Sequence, residues 1–423
     1  MPAFNIVIPQ SRPKRLEFIR ELFPMHSGPD LSEEWQGGRE EGLKRLALIL
    51  PAQYGKTRNY LDGDVTHLSP YIRHGCLSLL EVIHHTKSIP ASSRDKLLFE
   101  FAWRDYWRQV WYFVGDRIHS EMEPPKVKLE RKALDSDIID AKTGLMCMDN
   151  FVSELKGTGY LHNHARMWLA SYMIYWRGID WRLAAHWMHD LLLDGDQASN
   201  TLSWQWVAST FGSKPYFFNQ ENLSKYTHNR FCGTCKANCP FKESYETLNT
   251  TLFKPTSAPA KVSALARIEL QEISQGLEHI VLFHDEMLSA NNELYRSPKK
   301  KVFIFDARFQ KNWALKRLQF IADCLVQMPE IEVWVGDTRE VLGTMQAGKI
   351  ETQNTPNSEL RAILTQWDVT YEDEPAIYSK KTQAKLASKG IVRFSKYWNE
   401  VSEEILNESS EETVRPNKPF CND

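Results

Sequence analysis

Several stretches of this chain hold polar or charged side chains where an ordinary helical core would be apolar. Asn163, Arg166, Met167 and Ala170 recur at i, i+3, i+4 and i+7, so on a helix they share one face. An amide, a guanidinium and a thioether beside a small residue read as a binding face; the plainer alternative is a solvated edge. The acidic turn Asp194-Gly195-Asp196 follows, then Asn200 and the pair Trp204 and Trp206. A second stripe carries Glu100, Trp103 and Trp107 with Arg104 adjacent, and a carboxylate within a Trp stripe is unexpected in a plain core. Upstream of both lies Asp64-Val65-Thr66-His67-Leu68-Ser69-Pro70. Hydroxyls and backbone N–H groups at a helix start suit a diphosphate, and equally an ordinary N-cap. Cys232, Cys235 and Cys239, the last followed by Pro240, form a Cys-x2-Cys-x3-Cys-Pro run with metal-ligand spacing.

The elements that must position these groups are mostly helical. From about Gly37 to Leu252 apolar-periodic segments alternate with Gly, Pro and Asp turns. Leu43–Leu50, Lys96–Val114, His162–Trp176 and Trp181–Leu193 are the clearest predicted helices. After a Pro/Ser/Lys-containing stretch at Lys254–Lys261 the texture changes. His279–His284, Lys301–Asp306 and Ile331–Val335 read as strands, and Asn312–Met328 as a helix between the last two, which indicates a small α/β layer. The fold class expected is an all-α domain followed by a smaller α/β domain. Its parts are an N-terminal extension (1–36), the helical domain (37–253), a linker (254–275), the α/β domain (276–400) and an acidic tail (401–423).

The chain has 423 residues, enough for two domains with full cores. Its formal net charge of −2 gives no overall basic excess of the kind that marks many nucleic-acid binders, although a local patch suffices for DNA. The sequence shows neither a membrane-spanning apolar run nor a signal peptide, and the expected location is cytoplasmic. Seven Cys without a secretory signal suggest a reducing compartment, where clustered Cys are more often metal ligands than disulfides. Cys76, Cys324 and Cys421 look unpaired.

Taken together, the run from Thr158 to Phe218, the Glu-Phe-Ala-Trp-Arg-Asp-Tyr-Trp run at 100–107 and the 64–70 turn resemble the FAD-binding helical domain of the DNA photolyase/cryptochrome family. The resemblance implies FAD held by Tyr54, Thr66, Leu68, Ser69, Arg104, Trp107, Asn163, Arg166, Asp194, Gly195, Asp196 and Asn200. Within that set Arg166 would pair with Asp194, and Asn200 would face flavin N5. It further implies that Glu100, Trp103, Asn163, Met167 and Trp206 meet a flipped pyrimidine dimer, and that Trp204 and Trp181 carry electrons. The third Trp of that path is not at its expected place near Lys128, where Trp107, Trp111 or Trp176 could substitute. Tyr160 stands where many relatives have Trp.

The cysteine run resembles the iron–sulfur branch of the same family. Its fourth ligand would be Cys147, giving a [4Fe–4S] site at Cys147, Cys232, Cys235 and Cys239, with a structural Zn site or free thiols as alternatives. Phe303–Arg308, Trp313–Cys324 and Val335–Leu342 resemble part of the family's antenna domain, here permuted to the C-terminal side, and no antenna chromophore is assigned. The function implied is blue-light-driven repair of pyrimidine dimers in DNA by a photolyase-type lyase. A cryptochrome-like photoreceptor is the alternative, and a light-independent flavin or DNA-binding module is a third class.

Overall fold

The computed structural model describes residues 3–253 and 276–407. Its α/β layer is a six-stranded sheet of β1 (Phe4–Ile6), β2 (Glu278–Phe283), β3 (Lys300–Phe305), β4 (Ile331–Val335), β5 (Ala347–Gln353) and β6 (Asp368–Glu372) in the order β1-β4-β3-β2-β5-β6. All neighbours are parallel except β1, which runs antiparallel to β4. Strands β2 and β3 are almost wholly buried, with patterns eiBBBB and eBBBBB. That is why they read as continuous apolar runs rather than alternating ones, as strands covered on both faces do.

The N-terminal stretch expected as an extension of the helical domain is instead part of this layer. It supplies the edge strand β1 and the helix Arg12–Leu22, which packs on the helix Leu315–Leu325. Arg15 donates from Nε to Asp323 Oδ1 at 2.7 Å, with both side chains almost fully buried. The boundary expected at residue 400 also moves. It falls inside the helix Phe394–Leu406, whose Val401 and Ile405 are buried, so 401–406 is not tail. This helix lies along Ala91–Val114 of the helical layer, so the α/β chain ends as part of the helical core. Residues 254–275, expected as a linker, and Cys421 lie outside the described residues.

The helical layer follows the predicted segments to within a few residues. Its long helices are Ala91–Val114, Met146–Thr158, Asn163–Ser171, Trp181–Leu191 and Gln197–Val207. Asn163–Ser171 continues as a π-helical turn, Tyr172–Trp176, so the predicted run to Trp176 is one rod with a local widening. One hydrophobic cluster spans both layers, joining Trp107 and Trp111 to Phe305, Leu318, Phe320, Phe394 and Tyr397. A second, around Phe151, Trp168, Trp181 and Trp204, belongs to the helical layer alone. Among the described residues no helix is long and apolar enough to cross a membrane.

Candidate functional site

The acidic turn joins two helices end to end. Trp181–Leu191 stops when Leu192 turns extended, and Asp196 opens Gln197–Val207 as its N-cap, accepting from the Ser199 N–H at 2.8 Å. Asp194, 4 % exposed, faces the Asn163–Ser171 helix and receives Arg166 through both guanidinium nitrogens, at 3.0 and 3.4 Å. Arg166 Nε is fixed to the Leu161 carbonyl at 2.8 Å, so the fork arrives oriented. Burial alone would raise the Asp194 pKa; Arg166 and the Ser69 hydroxyl override it and hold the carboxyl below its usual range. Asp196 behaves likewise, with Arg104 as its ion-pair partner and Arg73 nearby. The turn therefore carries two carboxylates at neutral pH. Asn200 lies one turn on, its amide nitrogen donating to the Ala185 carbonyl at 2.8 Å. This leaves the side-chain oxygen as the acceptor it can present.

Beside the turn lies an aromatic and basic wall. The rings of Trp35, His67 and Tyr160 are within 4.9–5.9 Å of one another, and the Arg166 guanidinium stands 5.7 Å from the Tyr160 centroid. A cavity of about 270 Å³ opens among Trp35, Val65, His67, Tyr160 and His162. His67, in the left-handed region at φ 51°, lines this cavity. Burial drives the pKa of His162 down to about 3 and of His164 down to about 4, with neighbouring cationic groups adding to it, so both rings are neutral. His67 Nδ1, His162 Nε2 and Arg58 Nε are buried without a hydrogen-bond partner.

The phosphate-type turn differs from expectation. The helix it starts, Ser69–Arg73, has five residues, and Leu68 at its cap makes no side-chain cap bond. Thr66 Oγ1 accepts from the Leu68 N–H at 3.4 Å, Leu68 is fully buried, and Ser69 is engaged with Asp194. Tyr54, on the short helix Pro51–Thr57, lies near Glu100 and Arg58, and burial raises its pKa.

The expected substrate face is only partly assembled. Glu100 is not a free acceptor, because Arg58 and Lys96 both meet it at 3.3 Å. The Trp103 ring is covered by Phe394, parallel at 3.6 Å and 9°. Trp206 packs against Tyr216, with ring centroids 5.5 Å apart. Asn163 is exposed and donates weakly to Met167 Sδ at 3.5 Å. Trp107 packs against Trp103, Tyr106 and Phe211. Trp204 and Trp181 are buried, and the Trp181 N–H has no partner. Of the three proposed substitutes, Trp176 donates to the Pro240 carbonyl at 3.1 Å, whereas Trp111, like Trp107, is buried in the cluster shared by the two layers.

The four cysteines expected to bind metal are linked electrostatically in part. Cys147, in the first turn of Met146–Thr158, has its thiol pushed up to about 12, mainly by burial, with Cys232 and Cys239 contributing. Cys232 and Cys239 are raised too, and Cys235 acts on both. Among the described residues, however, no group of three or more His, Cys, Asp or Glu side chains is arranged to hold a metal ion. Cys76 and Cys324, expected to be solitary, meet at 3.5 Å between sulfurs where the two layers join.

Sequence reasoning missed the groups that reach this site from the other layer. Lys316 and Arg317, each 1 % exposed, lie on Leu315–Leu325, every residue of which is buried. The sequence reading gives this segment a helix and assigns the two adjacent cations no role. The available signal was their place between two strands of a sheet covered on both sides.

Comparison with known proteins locates the likeness in the helical layer. Residues 97–266 match the FAD binding domain of DNA photolyase. A deoxyribodipyrimidine photo-lyase of Streptomyces griseus is 34% identical over 183 residues, 41% of this chain and 40% of that protein. A chloroplastic/mitochondrial cryptochrome DASH of Arabidopsis thaliana is 33% identical over 194 residues, 42% and 34% of the two chains. The crystal structure of a Synechocystis cryptochrome aligns at a TM-score of 0.44 with 26% identity, covering 49% of this chain and 47% of that one. The chain thus spans well under two thirds of the length of the curated relatives it matches. The helical layer contains most of the segment that is similar to this FAD binding domain. Its residues can serve such a cofactor: His67 Nδ1, His162 Nε2 and Arg58 Nε are buried polar atoms without partners, which a polar dinucleotide would satisfy.

Proposed function

We propose that this chain is a FAD-dependent, blue-light-driven DNA-repair lyase acting on pyrimidine dimers. The observation that carries the reading is the buried Arg166–Asp194 fork next to Arg104–Asp196, within the segment that matches the FAD domain. The names of the relatives, photo-lyases and cryptochromes DASH, support it. Asp194, Asp196, Arg166, Arg104 and Asn200 would hold the cofactor, with Tyr54, Thr66, Leu68, Ser69, Trp107, Asn163 and Gly195 around it. Bound FAD would supply light absorption and a single electron. The protein's own work is then positional: the Arg166 fork fixes the acidic turn, Asn200 presents an oriented amide, and Trp204 and Trp181 offer a buried aromatic route. Glu100, Trp103, Asn163, Met167 and Trp206 would meet the flipped dimer.

Two findings favour a second reading, a cryptochrome-like photoreceptor. Phe394 occupies the open face of Trp103, and Glu100 is already held by two cations. A single assay separates the readings. FAD-loaded protein is mixed with dimer-containing single- and double-stranded DNA under blue light and in darkness. The repair reading requires dimers to disappear only in the light; bound FAD with unchanged dimers gives way to the photoreceptor.

The [4Fe–4S] site at Cys147, Cys232, Cys235 and Cys239 belongs to the same proposal, with Zn as the alternative. The electrostatic influence of Cys232 and Cys239 on Cys147, and of Cys235 on Cys232 and Cys239, supports it, and metal would staple a loop that has little core of its own. Anaerobically purified protein is expected to contain iron and acid-labile sulfide, both lost in Cys235→Ser. Stoichiometric zinc without sulfide makes the site structural, and neither metal removes the cluster from the proposal.

A further inference from the structure

The helix Leu315–Leu325 of the α/β layer begins with two adjacent cations that reach into the helical layer. Lys316 Nζ donates to the Lys156 carbonyl and, at 3.0 Å, to the Gly157 carbonyl. These are among the last carbonyls of Met146–Thr158, the helix whose exit leads through Gly159 to Tyr160 and Asn163. Arg317 Nε donates to the Leu192 carbonyl at 2.7 Å and Nη2 to the His189 carbonyl, while the Ala314 N–H takes the Asp190 carbonyl at 2.8 Å. Those carbonyls end Trp181–Leu191, the helix whose exit leads to Asp194. The last carbonyls of a helix have no partner within it and carry the negative end of its dipole, so cations there are favoured.

Glycines mark both places. Gly159 (φ 75°) would place a Cβ 2.8 Å from Lys316 Cδ, and Gly195 (φ 36°) would place one inside the Arg317 guanidinium. Neither cation has an ion-pair partner among the described residues, and Arg317 Nη1 has no hydrogen-bond partner at all. Burying two unpaired charges is costly. An apolar contact between the layers would have avoided that cost, so the carbonyl bonds are the feature that needs both cations.

We infer that Lys316 and Arg317 are positioning residues for the FAD cradle: they cap the two helices that deliver Tyr160 and Asp194, making cofactor retention depend on docking of the α/β layer. The inference rests on the proposal that FAD binds at this turn. It is tested on the full-length protein by measuring the FAD dissociation constant and the visible circular dichroism of bound FAD for wild type, Arg317→Met, Lys316→Met and Arg317→Lys. Arg317→Met should bind FAD about 10- to 100-fold more weakly, the loss expected for buried hydrogen bonds from a charged donor. The dichroism of its flavin bands at saturation should change. Arg317→Lys, which keeps the charge and can reach one carbonyl, should recover part of both. Thermal unfolding of each apoprotein separates loss of stability from loss of the cradle. Should Arg317→Met not fold, Lys316→Met and Arg317→Lys decide the matter by the same readouts. Folded variants with wild-type affinity and an unchanged flavin signature overturn the inference. Wild type that binds no FAD overturns the cofactor reading instead.

Discussion

Asp194 shows how a single residue can be required by both fold and site. Its carboxylate is buried, which alone would favour the protonated form, yet Arg166 and Ser69 keep it charged. A buried carboxylate and guanidinium that satisfy each other rarely add net stability, but removing one partner strands the other. The pair is therefore better understood as fixing the turn than as strengthening the core. The neighbouring histidines give a pH dependence that can be checked. His162 and His164 are depressed to about 3 and about 4 in the folded protein, against an ordinary value of 6.5. Between pH 6.5 and about 4 the unfolded chain takes up protons that the folded chain refuses, so stability falls with pH across that window. Asp194 and Asp196, with lowered values, lose their contribution only below it, as pH drops through their folded pKa. Thermal midpoints should therefore decline from pH 6.5 to 4. His162→Gln/His164→Gln should flatten the decline, and an unchanged slope would show that these rings are not buried neutral.

At the scale of elements, periodicity made the helices and central strands readable, because each buries one continuous face or two. The Arg166–Asp194 pairing was legible through the family resemblance, and it agrees with the rule that a buried charge needs a partner. What could not be read was the assignment of faces between layers. The stripe Phe99, Trp103, Tyr106 marks Ala91–Val114 as covered, but nothing local says that Phe394 and Trp398, nearly three hundred residues away, do the covering. The polar residues of Leu315–Leu325 likewise find their partners far away in the chain: backbone carbonyls for Lys316 and Arg317, Asp30 for Gln319, and the Arg12 and Arg15 guanidiniums for Asp323. Phe394→Ala tests what this cover does. Removing a ring that is 7 % exposed should cost about 3–5 kcal/mol in denaturant unfolding. If Trp103 serves the dimer, uncovering it should raise affinity for dimer-containing single-stranded DNA and speed light-dependent repair. Unchanged binding with the expected loss of stability would leave Trp103 as core.

The whole molecule is organised by a chain that enters the sheet, leaves to build the helical layer, and returns. Strand β1 and the helix Arg12–Leu22 come first, the helical layer follows, and β2 to β6 complete the sheet before the last helix docks on Ala91–Val114. The apparent N-terminal extension was misread because three strand residues and one polar helix carry little periodic signal. Their role appears only when Arg15 meets Asp323, 308 positions later. Asp323 is completely buried and also accepts from the Gly37 N–H at 3.2 Å, so the same carboxylate anchors the start of the helical layer. With one hydrophobic cluster crossing both layers, unfolding should be a single cooperative event. Arg12 also meets Asp323, at 3.5 Å, so Arg15→Met removes the closer of two guanidiniums from a buried carboxylate; Arg12→Met/Arg15→Met, which strands it, should cost about 3–5 kcal/mol and Arg15→Met alone less. Because the layers share a core, and if the cations of Leu315–Leu325 hold an FAD cradle as inferred above, release of FAD fluorescence should coincide with the loss of far-ultraviolet circular dichroism, both shifted to lower temperature together. Two separated transitions, with flavin released first and the sheet surviving, would show that the layers fold as independent units.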